Sequence, residues 1–418
     1  MAKSPFNDKL TSQIRDRFAH IESDPFSGKR IFLENAGGTL RLKSVVEVTE
    51  TFTALPDNAG RRNPASQAVD EAIAKGRRDA ALFVGAGSGH IISEQSTTGM
   101  IFRIISTIGF NARKGNMISS NLDHPASFDA TQVIAERYGM QFRCAGLDPR
   151  TGVVPVKAVL QHVDKDTVSV NIIHASNILG SKNDIRTLAG EIRKINPKTF
   201  IVIDGAQHAC HGKVDVESYG VDAWVFVPYK MFSKIGTAFA WVSDRLAELS
   251  HDKLLGKPRD VWDLGTRETA SYAGMSKVVE YYQWLGSHFT QSADPRTQVV
   301  AAMEAIEQHE AAMLQALLHG TQRARGLLDM KHVTVLGDKE DAKTQEAIVA
   351  FTVAGKDTNA LVEYFQKNGI RLHNRVSDAY SKHTLSALGI EACLRVSLCH
   401  YNTLDEVEAF LQTAARLG

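Results

Sequence analysis

Three polar residues stand just beyond three apolar runs: Asn177 after VSVNIIH (168–174), Asp204 closing TFIVID (199–204), and Lys230 beyond AWVFV (223–227). An amine, a carboxylate and a carboxamide brought to one place can do a particular chemistry. The amine condenses with an aldehyde carbon, the carboxylate keeps a pyridine nitrogen protonated, and the amide hydrogen-bonds a phenolic oxygen; that set suits pyridoxal phosphate. The protonated ring then accepts electrons from the Cα of an amino acid. Singly, each residue reads as a cap or a solvated side chain. Together, at successive strand ends, they point to a site, because ligands of open parallel sheets bind outside the carboxyl ends of the strands.

The elements that must position them are legible in the same stretch. NMIS (116–119), VSVNIIH, TFIVID, AWVFV and AFAWV (238–242) are short β-branched or aromatic runs that predict strands. Between the second and third lies DIRTLAGEIRKIN (184–196), with Ile185, Leu188, Ile192 and Ile195 at helical spacing and Asp184 as the N-cap. Near-continuous apolar strands joined by helices predict an α/β fold whose parallel sheet is buried on both faces. Residues 297–328 predict one or two long helices. Beyond them, strands at 346–353, 370–373 and 394–398 and helices near 359–368 and 404–417 form a smaller α+β unit. The expected division is an N-terminal arm packing on the small domain (1–30), a large cofactor-binding domain (31–290) and a small C-terminal domain (291–418).

Composition narrows the function. The chain has 418 residues, with 48 Lys and Arg against 47 Asp and Glu, a net charge of +1. That balance argues against a nucleic-acid or polybasic membrane surface as the main business. Hydrophobic residues at 43% and charged ones at 23% fit an ordered globular chain, and no apolar run is long enough to span a bilayer. MAKSPFNDKLTSQIRDRFAH reads as a polar arm and amphipathic helix, not a signal peptide. Four cysteines without a CxxC pair predict reduced thiols in the cytoplasm.

The segment IVIDGAQHACHGKVDVESYGVDAWVFVPYKMFSKIGTAFAWV (201–242) resembles the cofactor segment of the class V aminotransferase superfamily, which includes the cysteine desulfurases. The likeness extends in order through FLENAGGTL (32–40), HASNILG (174–180), GTRETASYAG (265–274) and LRVSLCHYNT (394–403), and is greatest to the desulfurase-like branch. It implies a pyridoxal-phosphate enzyme of fold type I, with a mostly parallel seven-stranded type of sheet in the large domain. Lys230 matches the lysine that links the cofactor and then moves the Cα proton, and Asp204 matches the partner of the ring nitrogen. Gln207 and Asn177 match contacts on the phenolic-oxygen side, and His124 matches the histidine stacked on the ring. Ser96, Thr97 and Thr98 match the phosphate loop; they also open an apolar helical run, whose free N–H groups attract a dianion. Gly265 and Thr266 match a loop that reaches the phosphate of the neighbouring subunit, implying a homodimer. Arg395 matches the arginine that grips the substrate α-carboxylate, and Asn35 a substrate-side position.

Departures from the pattern carry information too. Val227, Pro228 and Tyr229 stand where a serine, a small residue and a histidine are usual, so Tyr229 is expected to replace the histidine contact. The stretch HNRVSDAYSKHTL (373–385) corresponds to the desulfurases' mobile loop and holds no cysteine; Cys393 reads as a buried core thiol. The expected reaction is therefore β-elimination or C–S lysis without a persulfide cysteine. Transamination is the first alternative. Epimerisation is the second and needs another acid, for which Tyr229 and Tyr380 are candidates. FVGAGSGH (83–90) lacks the third glycine of a dinucleotide fingerprint. His208 and His211 have no further ligand cluster in sequence, so no metal is expected, and His208 lines the substrate side or packs. Arg61, Arg62 and Arg375 can serve an acidic side chain or lie on the surface.

Overall fold

The computed structural model describes residues 4–258, 261–337 and 344–418. Its longer helices are α1 (Asp8–Arg15), α2 (Lys43–Thr53), α3 (Pro64–Val84), α4 (Thr97–Ala112), α5 (Pro125–Arg137), α6 (Ile185–Ile195), α7 (Thr269–Gly286), α8 (Pro295–His319), α9 (Thr358–Lys367) and α10 (Leu404–Ala415). The large sheet contains β1 (His90–Glu94), β2 (Asn116–Ser120), β3 (Gln141–Ala145), β4 (Thr167–Ile173), β5 (Phe200–Asp204), β6 (Ala223–Phe226) and β7 (Ala238–Val242). The small sheet contains β8 (Val333–Val335), β9 (Ile348–Val353), β10 (His373–Val376) and β11 (Ala392–Ser397).

The large sheet runs β1-β7-β6-β5-β4-β2-β3. From β6 to β3 every pair is parallel, whereas β7 is antiparallel to both β6 and β1. The AFAWV run is thus a reversed strand; apolarity alone gives no direction. Alternate residues feed two cores. Ile201, Ile203, Trp224 and Phe226 face one cluster, while Val202, Val225 and Ala240 face another with Ile104 and Ile108 of α4. Burial on both faces explains the unbroken apolar runs, each such side chain contributing roughly 1.5–3 kcal/mol.

Local chemistry sets the helix ends. Asp184 accepts from the N–H of Thr187 to start α6, whose Arg193 and Lys194 lie in the last turn against the dipole. Residues 83–90 run from helix to strand, the reverse of a dinucleotide fingerprint: Gly85, at φ 72°, caps α3 in the left-handed region, and β1 follows. The strands HIISE and QFRCA, short and partly polar, carry little signal and are found only in the structure.

The long helical region proves to be α8, started by Asp294 and Pro295, followed by a single 3-10 turn at Leu327–Asp329. The small sheet is antiparallel throughout, in order β8-β9-β11-β10. Phe351 and Leu394 on its face pack with Phe365 of α9 and Phe410 of α10. A capping box of Thr403 and Glu406 starts α10. The N-terminal arm touches both parts. Phe18 meets Phe232 and Tyr401 at ring distances of 5.4 and 4.6 Å, and just past the arm Ile31–Phe32 pairs in parallel with Ile370–Arg371. No helix among the described residues is long and apolar enough to cross a membrane.

Candidate active site

A cavity opens at the carboxyl ends of β4, β5 and β6, and its wall includes Ser96, Thr97, Thr98, His124, Asn177, Asp204, Gln207, Tyr229 and Lys230. Asp204 is the last residue of β5 and is 3% exposed. Its Oδ1 accepts the N–H of Ala206 at 3.0 Å. Burial raises its pKa, and the nearby Lys230 opposes that rise. Gly205 is required at the turn, since a Cβ there would lie 2.1 Å from the ring of Trp224. The chain then places Gln207 on the cavity wall.

Lys230 ends a 3-10 turn begun by Pro228 and is 8% exposed. Its Nζ donates to Oε1 of Gln207 at 3.1 Å. Burial pulls its pKa down to about 8; Asp204 opposes this, while Arg395 and Arg375 add to it. Such an amine exchanges protons readily near neutrality.

His124 caps α5, its Nδ1 accepting from the N–H of Ala126 at 3.1 Å, which leaves Nε2 to carry the hydrogen. Burial, with Lys230 and Arg375 nearby, pushes its pKa down to about 3, so the ring is neutral and can stack. The residue before it was passed over in the sequence. Asp123 accepts from the Ser119 hydroxyl and the Ser120 N–H, both at 2.6 Å, and from the Ile173 N–H at 2.5 Å. That carboxylate clamps the end of β2 to the end of β4 and fixes where His124 leaves the sheet. Its signal was an acid directly ahead of His-Pro at a strand end.

Ser96 caps α4 through the N–H of Gly99 at 3.1 Å. Ser96 and Thr98 are exposed, Thr97 is half-buried, and the helix's free N–H groups face the same opening. Tyr229 lies against the backbone of Gly38, and its carbonyl accepts from Nη1 of Arg41 at 2.8 Å. Thr266 is exposed and stands outside the cavity wall.

Arg395 sits in the middle of β11, paired with Ala350 of β9 and His373 of β10, and is 2% exposed. It is not part of the cavity wall; its link to it is a bond from Nη1 to the carbonyl of Asn177 at 2.7 Å. Its Nε is buried without a hydrogen-bond partner. Burial lowers its pKa to about 10, helped by Arg375 and opposed by Glu34. Asn35, expected beside the substrate, instead spends its carboxamide inside the protein. It donates to the Ser397 carbonyl at 2.7 Å and to Asn402 at 3.1 Å, and it accepts from the Tyr401 hydroxyl.

Behind Gln207 the structure supplies the carboxylates that HACH lacks in sequence. His208 packs rather than lining the cavity: its ring lies 3.8 Å from that of His174, tilted by 30°, and it bonds Glu346 at 2.6 Å. His211 bonds Glu310 at 2.7 Å. Their partners lie 138 and 99 residues away, just ahead of β9 and on α8, where no local pattern reveals them. Cys210, Cys393 and Cys399 are buried and Cys144 is half-buried. Burial pushes the thiols of Cys393 and Cys144 up to about 11, and none of the four reaches the cavity wall. Tyr380 is 60% exposed, and Arg375 holds the Ser381 hydroxyl through Nε at 2.8 Å.

The chain is similar over nearly its whole length to known proteins. A probable cysteine desulfurase of Xylella fastidiosa (strain 9a5c) is 24% identical, covering 98% of this chain and 94% of that protein. An aminotransferase-like protein, FGM3, of Gibberella zeae is 25% identical over 98% of each. Among solved structures, the apo cysteine desulfurase from Thermococcus onnurineus NA1 superposes with a TM-score of 0.83 at 19% identity, over 100% and 99% of the two chains. The cysteine desulfurase CsdA from Escherichia coli gives 0.76 at 20% identity, over 98% of each. The fold is accordingly that of fold type I. The family model "Aminotransferase class-V" matches residues 31–410, spanning both sheets and every residue of the cavity wall, so the chain belongs to the class V aminotransferase family of pyridoxal-phosphate-dependent enzymes.

Proposed function

We propose that the chain acts on an α-amino acid held by Arg395, removes its Cα proton with Lys230, and eliminates a group from Cβ, as a C–S lyase without a persulfide cysteine. The residues present fit the cofactor. The exposed hydroxyls at the start of α4 suit a phosphate, Asp204 suits a ring nitrogen, Gln207 and Asn177 suit the phenolic oxygen, and neutral His124 suits the ring face. When bound, pyridoxal phosphate supplies an electron sink for the Cα carbanion.

The observation that carries the reading is the pairing of a buried, unpartnered guanidinium edge with a buried amine whose pKa is near 8. Nε of Arg395 lacks a hydrogen-bond partner, and a buried orphan donor is costly unless a ligand completes it. A carboxylate is the group its planar fork suits best. Lys230, neutral above about pH 8, takes the Cα proton and returns it where the leaving group departs.

The lyase assignment rests on the thiols. A persulfide route needs an accessible thiolate at the cavity; here residues 373–385 have none, and Cys393 is buried inside β11 with its thiol pushed up to about 11. The leaving group then departs into solvent. Thr266, exposed on the protomer, is proposed to reach the phosphate of a second copy in a homodimer. The four unpaired thiols fit the reducing cytoplasm.

A screen of amino acids by absorbance, followed by product analysis, tests this. Elimination yields pyruvate and ammonia, with sulfide from a cysteine-like substrate, and leaves the cofactor's aldehyde form intact. A band that bleaches and returns only with a keto acid makes transamination the activity. Cα hydrogen exchange with racemisation and no new product makes it epimerisation.

A further inference from the structure

Gln207 is the hub of a buried chain of hydrogen bonds that leads away from the cavity. On the cavity side its Oε1 accepts from Lys230 Nζ at 3.1 Å. On the far side its Nε2 lies 3.1 Å from Nε2 of His211, whose Nδ1 lies 2.7 Å from Oε2 of Glu310 on α8. The other Glu310 oxygen, Oε1, is buried with no hydrogen-bond partner. The Glu310 carboxylate therefore relies on His211 for its compensation.

A carboxamide has one donor end and one acceptor end, so its two neighbours cannot be satisfied independently. With Nδ1–H of His211 given to Glu310, a neutral ring presents a lone pair at Nε2. That lone pair accepts only the NH₂ end of Gln207, and the carbonyl end faces the cavity, as it does beside the Lys230 amine. An imidazolium presents N–H at Nε2 instead. It claims the carbonyl end, and the NH₂ end then points into the cavity as a donor. The loaded enzyme needs the second arrangement: Lys230 no longer offers an ammonium, and a phenolic oxygen is an acceptor.

We propose that His211, backed by Glu310, is a positioning residue that decides which end of the Gln207 carboxamide faces the bound cofactor. The inference rests on the cavity being the cofactor's seat. It makes the imidazolium form of His211 hold the donor end of the amide toward the cofactor, without touching cofactor or substrate. The surroundings support a cation there. Burial opposes charge on His211, but Cys210 on the same turn and Glu310 lift its pKa well above the ordinary value. Burial raises Glu310 to about 7 against the pull of His211. Glu346, paired with His208, also faces the ring, while Cys399 and His400 beyond β11 are buried and kept uncharged.

The test is a pH titration of the visible band of the cofactor-loaded enzyme. A donor to the phenolic oxygen favours its anion, so losing that donor raises the midpoint. Glu310→Gln and His211→Asn are each expected to raise it by about one pH unit. Gln207→Leu should raise it similarly, and His211→Asn should add nothing in the Gln207→Leu background. Midpoints unchanged by Glu310→Gln and His211→Asn while Gln207→Leu shifts its own would overturn the proposal. So would shifts that add in the double variant, since His211 would then not act through Gln207. The unmutated chain gives an independent measure through ¹⁵N shifts of the His211 ring. Two protonated ring nitrogens in the cofactor-loaded enzyme are expected, and a neutral ring there would also overturn it. If the unmutated chain acquires no visible band at all, the seat itself is misassigned, which is a different failure.

Discussion

Nη1 of Arg395 donates to the carbonyl oxygen of Asn177 at 2.7 Å, joining the small sheet to the turn that follows β4. One corner of the guanidinium is thereby pinned, and Nε is left without a hydrogen-bond partner. Arg395→Lys keeps the charge but loses the fork. The KM for the amino acid should rise about 10–100-fold with a smaller change in kcat, the cost of one or two charge-assisted hydrogen bonds. Steady-state kinetics checks this, and an unaltered KM would assign the carboxylate to another residue.

The Lys230 amine should titrate far below an exposed lysine. Its pKa is lowered to about 8 from 10.5 by burial. Capture of pyridoxal phosphate by the cofactor-free chain, fixed with borohydride, should therefore reach half its maximal rate near pH 8. A midpoint near 10 would show a solvated amine. Lys230→Ala should lose the label altogether.

Asp204→Asn preserves the shape of the side chain and removes its charge. Asp204 lies at the end of β5, anchored by the Ala206 N–H at 3.0 Å. Exchange of the substrate Cα hydrogen into D₂O should slow by at least ~100-fold while cofactor is retained, in line with removal of one preorganised electrostatic partner. NMR of recovered substrate measures it. Unimpaired exchange would sink the role given to this carboxylate.

Acid should loosen the junction between the two sheets. Burial would raise the Glu346 carboxyl, but Lys182 and His208 hold it at about 2, against an ordinary 4.5. Between those values the unfolded chain binds more protons than the folded one. The stabilisation, roughly 3 kcal/mol, is therefore complete above about pH 4.5 and is lost as pH falls toward 2. Denaturant melts should show that loss, and Glu346→Gln should be less stable at neutral pH with a flatter acid limb. Parallel curves for the two proteins would remove Glu346 from the account.

Much of the large sheet was legible because burial on both faces demands unbroken apolar runs, as in FIVID and AFAWV, and because chemistry at strand ends leaves polar residues where apolar ones stop. Asn177, Asp204 and Lys230 stand out for that reason, and the structure brings them to one cavity. What was not legible depended on partners far along the chain. The reversed direction of β7 follows from where its neighbours lie, not from its own residues. Glu310 and Glu346 read as ordinary helix and strand-end acids until folding sets them against His211 and His208. Asn35 lies in a matched motif, yet its amide is committed to Ser397 and Asn402, a bond no local spacing encodes.

That last bond bears on biosynthesis. Asn35 leaves the ribosome 362 and 367 positions ahead of Ser397 and Asn402. Contacts separated so widely in sequence form late. A nascent chain halted before residue 395 lacks the end of β11 and all of α10, so Asn35 stays without Ser397 and Asn402. Closure of the Asn35 amide onto the small sheet thus awaits synthesis of β11.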